Sequence, residues 1–509
     1  MTAPRSFVGC YSAVLSVLNA SLRQAPNHSN QELTVSTQLS SGARPDTTAN
    51  DLGTSSSLPR STHITNYYHE SSGGVKVNYD KLVQAADRHR RFISLIVPAE
   101  NDSVETVGRY GKIYRVAARR APLFDRRYRM IMPWQYLFSD SSVRKILLAE
   151  KPDIIEIYDN SVLTYLAGMT RMGWFKRLGR PLFVYFTGER FDTIFQSFVM
   201  SGRFGSWFTR RILANFTLPM FDCYIANSSF VADELRVAYS KEQNPRRWRW
   251  FNRKTRQIFR AVDTPLEERL AICPRGVDTD FFSPRRRTVE SRARICRAAG
   301  IPVTATLVLS ATRLSPEKNV RLLPQIMQHL DDDQSRDFRL LIAGGGPEEE
   351  FLREEAARFA GKMILIGHLD KASLADHYAN ADIFIHPNPR EPFGNVGLEA
   401  LASGVACIFP NTGGVRMYAS ENNAWLVQAD AHEFAKAIHD AAVDKELRTR
   451  KIASALGTAA QNSQEAAVDR LLTTYDRMYE DFLKKIPRGT PATASTDAML
   501  TGTEVHREA

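Results

Sequence analysis

The chain has 509 residues, 43% of them hydrophobic, enough to bury more than one core. Lys and Arg number 67 against 56 Asp and Glu, a net charge of +11, which suits an anionic partner: a nucleotide, a phospholipid surface or nucleic acid. The five cysteines, Cys10, Cys223, Cys273, Cys296 and Cys407, form no CxxC pair, and no apolar run reaches the ~18 residues of a spanning helix, which argues against a disulfide framework, a zinc site and an integral membrane protein; a cytoplasmic protein, at most peripheral on the inner membrane face, is expected.

In chain order, the first 31 residues carry Arg5 and Arg23 and no acid, with Phe7, Tyr11, Val14, Leu18 and Leu22 at helical spacing. A targeting peptide or a surface-seeking helix is one reading. The Ser, Thr and Asn content from Gln24 to Arg60, without aromatics, favours a disordered leader over residues 1–60. From there HITNYY, FISLIVP, DIIEIY, PLFVYFT, CYIANS and LAICP read as strands, separated by helical spacing over Val75–Arg90 and Val162–Met172. This alternation predicts a doubly wound α/β domain over 61–275. Gly73 and Gly74 follow its first strand, where two glycines make an ordinary tight turn. Within it, Asn244–Arg260 interleaves seven cations with Trp248, Trp250 and Phe251. Three readings fit that composition: an anionic bilayer surface, nucleic acid, or a solvated basic loop with its aromatics tucked in. The membrane or a lipid-linked acceptor is the favoured one.

A second βα series fills 276–463: ATLVLSATRL, a helix from Asn319, RLLIAG, a helix from Glu348, MILIG, a helix from Ser373, DIFIHP, a helix near Gly394, and ACIFP. Two tandem Rossmann-like domains are therefore expected, with ligand in the cleft between them, beyond the carboxyl ends of the strands. A helix over 464–486 could pack back on either domain, and 487–509 reads as a disordered tail.

The chemistry concentrates in HPNPREPFGNVGLEALASG. Glu391 sits in the loop before the helix and Glu399 about 8 Å along it, so two carboxylates can address different ends of one elongated ligand by accepting hydrogen bonds from sugar or ribose hydroxyls. The helix start can face a phosphate. Arg313 and Lys318 follow a strand at the same sheet edge and would offset the two charges of a diphosphate leaving group without a metal. A glycine loop, Gly344-Gly345-Gly346, makes the next βα turn. Asp278 and Asp280 in the interdomain connection, and Asp331–Asp333 at a helix end, read as solvated or capping acids, so no metal is expected. His386 either lines the cleft or is a satisfied structural histidine.

This ordered set resembles the donor domain of retaining glycosyltransferases of family 4, which have the GT-B fold, over most of residues 62–440. The resemblance implies that Glu391 faces the transferred hexose, Glu399 holds the ribose, and Arg313 and Lys318 meet the diphosphate. It implies further that Phe393, Gly394 and Asn395 form the turn around phosphate and sugar, that Gly345 and Gly367 lie near the nucleoside, and that Gly73 and Gly74 approach the donor phosphate. Many relatives carry a histidine after the strand that here reads PLFVYFTGERF; this chain has Thr187, Gly188, Glu189 and Arg190, leaving Thr187 or Glu189 on the sugar or acceptor side. The expected activity is metal-independent, retaining transfer of a hexose from a UDP- or GDP-sugar to an acceptor hydroxyl on a glycan or lipid, with no cofactor and no nucleic acid. A nucleotide-sugar epimerase or hydrolase, or a binding protein with a relict donor site, are the alternatives.

Overall fold

The computed structural model describes residues 58–69, 73–120, 129–159, 162–193, 203–240, 246–332 and 335–485. Almost all of the expected leader, the expected tail and the first two residues of the basic segment fall outside them.

The first sheet is built from β1 (Ser61–Thr65), β2 (Ile93–Ala99), β3 (Ser103–Val107) and β4 (Gly111–Ala117). A two-residue ladder of β5 (Arg119–Arg120) with β6 (Arg129–Met130) follows β4. The sheet continues with β7 (Ile154–Tyr158), β8 (Leu182–Thr187), β9 (Cys223–Ala226) and β10 (Leu270–Ile272). Its order is β10-β9-β8-β7-β1-β2-β4-β3, all parallel except the β3–β4 pair. The six strands read from the sequence are present; β3 and β4 were not among them. In β3, SVETV is almost wholly exposed, so it offers no apolar run to detect and exists as an edge strand paired to β4.

Helices α1 (Gly73–Gln84), α2 (Ser142–Glu150), α3 (Thr164–Met172), α4 (Arg203–Ile212), α5 (Ser229–Tyr239) and α6 (Arg246–Ile258) accompany this sheet. Ile64, Ile155 and Ile157 face Leu147, Leu166 and Leu213 on one side, while Leu95, Val97 and Val184 face Leu82 and Val83 on the other. Burying each such aliphatic side chain contributes about 1.5–3 kcal/mol, and near-continuous apolar strands are what a parallel sheet covered on both faces requires.

The second sheet comprises β11 (Thr306–Ala311), β12 (Phe338–Ala343), β13 (Met363–Gly367), β14 (Ile383–Ile385), β15 (Ala406–Pro410) and β16 (Trp425–Val427), in the order β13-β12-β11-β14-β15-β16 and parallel throughout. Its helices are α7 (Val289–Ala299), α8 (Leu322–Asp332), α9 (Glu349–Ala356), α10 (Lys371–Asn380), α11 (Asn395–Ala402), α12 (Ala431–Val443) and α13 (Lys445–Gln461). The helix expected from Asn319 starts three residues later, because Pro316–Lys318 forms a single 3-10 turn that ends at Asn319 in the left-handed region, φ 55°.

The final helix, α14 (Gln464–Lys485), returns to the first domain. Tyr479 donates to Asp153 at 3.2 Å, Arg91 pairs with Asp476 at 2.6 Å, and the Tyr475 hydroxyl donates to the buried Glu156. The chain thus crosses between domains twice, and the crossings are tied: Val277 N donates to Asn462 O and Gln464 N to Val277 O, each at 2.9 Å. Gly276 permits the approach, since a Cβ there would meet the backbone of Ser463 and Gln464.

The strand order places a topological switch point between β1 and β7 in the first sheet and between β11 and β14 in the second. The loops leaving those strands diverge there and open the crevices in which such sheets take ligands.

Candidate active site

Lys318 ends the loop after β11 and Glu391 the loop after β14, so the switch point brings them together. Lys318 Nζ donates to Glu391 Oε2 at 2.9 Å and Oε1 at 3.1 Å. The loops are further stitched by Asn319 Nδ2 donating to Pro387 O at 3.0 Å. His386 Nε2 and Asn388 Nδ2 donate to Glu391 Oε2 at 3.0 and 2.9 Å. In HPNP the flanking prolines hold an extended path, and residues two apart on extended chain face the same way; hence both donors aim at one carboxylate. Sequence reading left His386 undecided and missed Asn388, although this alternation was the available signal.

Glu391 is buried, which by itself opposes its charge, but Lys318 and His386 outweigh that and hold its carboxyl well below the usual range. Lys318 is also opposed by burial, and Glu391 more than compensates, raising its ammonium above the ordinary value. A carboxylate offers about four lone-pair sites. Oε2 accepts three donors and Oε1 only Lys318, so Oε1 retains capacity for a ligand hydroxyl.

Past Glu391 the chain turns through Gly394, whose φ of 84° suits glycine, into α11. The Tyr418 hydroxyl donates to Gly394 O at 2.6 Å, and Gly414 N to Glu391 O at 2.6 Å, fixing the turn. Phe393 contributes only backbone here: its ring is in the core, edge-on to Tyr418 at 5.4 Å. Glu399 stands one turn into α11. Burial pushes it up to about 7, against the pull of Lys371 and the Tyr378 hydroxyl.

The neighbouring loops assemble at the same edge. Leu314 N donates to Gly345 O at 3.1 Å and Gly344 N to Gly367 O at 2.8 Å, so Gly345, Gly367 and the Arg313 loop form one backbone-bonded rim. Gly344, at φ 137°, lies where a Cβ would strike Thr312 O. Arg313 is exposed on this rim, and among the described residues its guanidinium has no hydrogen-bonded or ionic partner. Of the two cations paired by sequence, Lys318 therefore sits on Glu391 and Arg313 stands open.

The first domain supplies the opposite wall. Gly73 and Gly74 open α1, and a Cβ on Gly74 would lie 2.7 Å from Asn395 Nδ2, the first residue of α11. The structure thus brings Gly74 and Asn395 face to face. Thr187 does not enter the cleft: it is buried, and its hydroxyl donates to Glu189 O at 2.9 Å. Glu189 does enter it. Its side chain is exposed in the cleft yet has protein on both sides, and this desolvation, with Glu391 and Glu317 nearby, raises its carboxyl against the opposing pull of Lys318 and Arg275. Arg390 closes one end, donating to Thr193 Oγ1 at 3.0 Å, while Ser228 Oγ donates to Pro392 O.

The arrangement can hold an elongated, hydroxyl-rich anion: ionised carboxylate at one end, cations and a helix start in the middle, a second carboxylate beyond. Among the described residues no group of three or more His, Cys, Asp and Glu is placed to hold a metal ion. Asp278 caps its own turn, accepting from Phe281 N at 3.0 Å, and Asp331 pairs with Lys362.

Comparison with known proteins places this geometry in context. Residues 291–456 match the family described as glycosyl transferases group 1. The chain is 32% identical to sulfoquinovosyl transferase SQD2 of Arabidopsis thaliana over 30% of its own length and 28% of that protein's. It is 31% identical to the D-inositol 3-phosphate glycosyltransferase of Geodermatophilus obscurus, over 46% and 53%. It is 27% identical to the GDP-mannose-dependent alpha-(1-6)-phosphatidylinositol dimannoside mannosyltransferase of Mycobacterium tuberculosis, over 69% and 80%. The chain thus spans about half or less of the first two relatives and most of the third. A glycosyltransferase from Rickettsia africae superposes with a TM-score of 0.59 at 16% identity, over 84% of this chain and all of that one.

Proposed function

We propose, for a chain whose residues 291–456 belong to glycosyl transferases group 1 and whose two domains form the GT-B fold, metal-independent transfer of a hexose from a nucleotide diphosphate sugar to an acceptor hydroxyl. The observation that carries this reading is the Glu391 carboxylate, buried and kept ionised by Lys318, His386 and Asn388, with capacity left on Oε1 beside its bond from Lys318. An uncompensated buried carboxylate would protonate; one held charged at a sheet switch point is suited to orient sugar hydroxyls and to favour positive charge at an anomeric carbon.

In this reading Arg313, Lys318 and the first-turn amides of α11 stabilise the departing diphosphate. The bond from the anomeric carbon to the phosphate oxygen breaks, the bond to the acceptor oxygen forms on the same face, and the acceptor proton passes to the phosphate oxygen, which retains configuration. Glu399 and the rim of Gly345 and Gly367 take the nucleoside, and Glu189 faces the sugar or acceptor. Closure of the domains around the tied crossings limits loss of donor to water.

The acceptor is, in the same reading, a lipid or lipid-linked glycan at an anionic surface on the cytoplasmic face. Arg246–Ile258 of the basic segment fold as α6, and its outward side exposes Arg249, Trp250, Arg253, Lys254, Gln257 and Ile258, while Phe251 packs on Phe216 at 5.5 Å. Indole and aliphatic groups flanking cations suit headgroups and the interface beneath them. No helix among the described residues is long and apolar enough to cross a membrane. The name of the mycobacterial relative, a phosphatidylinositol dimannoside mannosyltransferase, is consistent with such an acceptor.

A panel of UDP-, GDP- and ADP-sugars, with released nucleotide measured with and without lipid extract, tests the reading. Acceptor-dependent release is expected for one donor. Release that ignores acceptor would favour a hydrolase, and failure of both UDP and GDP to raise the melting temperature would sink the donor site itself.

A further inference from the structure

Arg275 lies in the first interdomain crossing, between Pro274 and Gly276, and the donor and acceptor roles above do not use it. Its guanidinium reaches the wall of the cleft. Nη2 donates to the Tyr158 hydroxyl at 3.4 Å, and the group lies 5.7 Å from the centre of that ring. Among the described residues no carboxylate lies within 4.0 Å of it, so most of the donors of a permanently charged fork are uncommitted.

Two glycines clear its space, one from each flanking loop. A Cβ on Gly74 would lie 3.3 Å from Arg275 Nη1, and one on Gly188 would lie 3.0 Å from Nη2. Neither glycine has a positive φ, so the missing side chain, not backbone conformation, is what each position provides. The Gly74 position is also the one 2.7 Å from Asn395 Nδ2. Arg275 and the start of α11 therefore flank one point in the cleft from opposite domains. Glu189, on the same wall, interacts with Arg275 electrostatically without pairing with it; it lowers the potential for a stray anion but leaves the fork open. By contrast, Arg171 and Arg180 of the same domain are both committed to Asp222.

We propose that Arg275 binds a phosphoryl group held between Gly74 and Asn395, so that the domain crossing itself grips the substrate. Two sources present that chemistry, the diphosphate of the donor or a phosphate on the acceptor. The inference rests on the transferase reading and adds a residue to it that lies outside the Arg313 and Lys318 loop.

The test uses the full chain with Arg275→Gln and Arg275→Lys, titrated with GDP, UDP, GMP and UMP, and assayed with inositol 3-phosphate and inositol as acceptors. If the donor is the source, R275Q weakens binding of the preferred nucleoside diphosphate by about tenfold or more and leaves the monophosphate unchanged, with R275K in between. If the acceptor is the source, both nucleotides bind normally and R275Q erases the preference for inositol 3-phosphate over inositol. Should R275Q fail to fold, R275K and Gly188→Ala, which displaces the fork and keeps its charge, report the same contrasts. Unchanged affinity for the diphosphate together with unchanged acceptor preference overturns the proposal. Loss of diphosphate binding in Lys318→Ala shows separately that the donor site is real; a wild-type chain that binds neither GDP nor UDP removes both readings.

Discussion

The two walls of the cleft solve the problem of holding charge in different ways. On the wall of the second domain, Lys318, Glu391 and the exposed Arg313 are carried by loops bonded to their neighbours, and Glu391 is saturated on one oxygen before any ligand arrives. On the wall of the first domain the charges are sparse and open: Glu189 projects into the cleft, and Arg275 leans on one phenol across space that two glycines leave vacant. The wall of the second domain is preorganised, whereas that of the first domain is built to be completed by what binds. Preorganised dipoles and charges are the larger catalytic term, so substitutions on the second domain should cost most.

Lys318→Ala is the largest test of that contrast. It removes the proposed phosphate cation and leaves Glu391 buried without its counter-charge, so turnover should fall by about 100-fold or more; with Lys318 partly exposed, stability should fall by about 2 kcal/mol, read by denaturant melts. The pH dependence should change as well. In the wild type the depressed Glu391 contributes stability that is present above the ordinary carboxylate range and lost only as pH falls through its lowered value. In the variant that loss should begin at higher pH.

On the opposite wall Gly188→Ala should cost less, about tenfold in kcat/KM with little change in nucleotide binding if Arg275 serves the acceptor, because a Cβ there meets the Tyr158 hydroxyl and the Arg275 fork but no core backbone. A comparable effect, dependent on pH, is expected from Glu399. In the proposed reading ribose hydroxyls donate to its ionised form, so nucleotide affinity measured by calorimetry should rise by up to about tenfold per pH unit below 7 and level off above it, and Glu399→Gln should flatten the profile. The smallest is Lys254→Glu on the exposed face of α6, which should weaken flotation with anionic vesicles by roughly fivefold per charge changed and leave neutral vesicles unaffected.

The same contrast explains what was legible in the sequence. The second domain was readable because its site is local: Arg313 to Lys318, the glycine loop and Glu391 to Glu399 each follow one strand, and strand order alone brings them to one edge. The six apolar strands of the first domain were equally plain. What was not readable depended on space. Arg275 lies 201 positions from Gly74 in the sequence and meets it only because the chain crosses beside Val277 and Asn462. Thr187, a natural substitute for a missing histidine by position, is turned inward by its bond to Glu189 O, and only coordinates reveal which way a loop side chain points. Phe393 sits within the motif but in the core, where it packs on Tyr418. The edge strand β3 lacked an apolar run altogether, and β4 buries only Ile113 and Val116 among its larger apolar residues.

The most direct test of the account is transfer by Glu391→Gln with the best donor of the nucleotide-sugar panel, since that change keeps shape and removes only charge and one acceptor. The expected result is a fall in kcat/KM of about 100-fold or more while the free nucleoside diphosphate still binds, because in the proposed reading the nucleotide does not touch the sugar end; the melting temperature should fall as it does in Lys318→Ala, since Lys318 loses its counter-charge. Transfer at the wild-type rate by Glu391→Gln would contradict it.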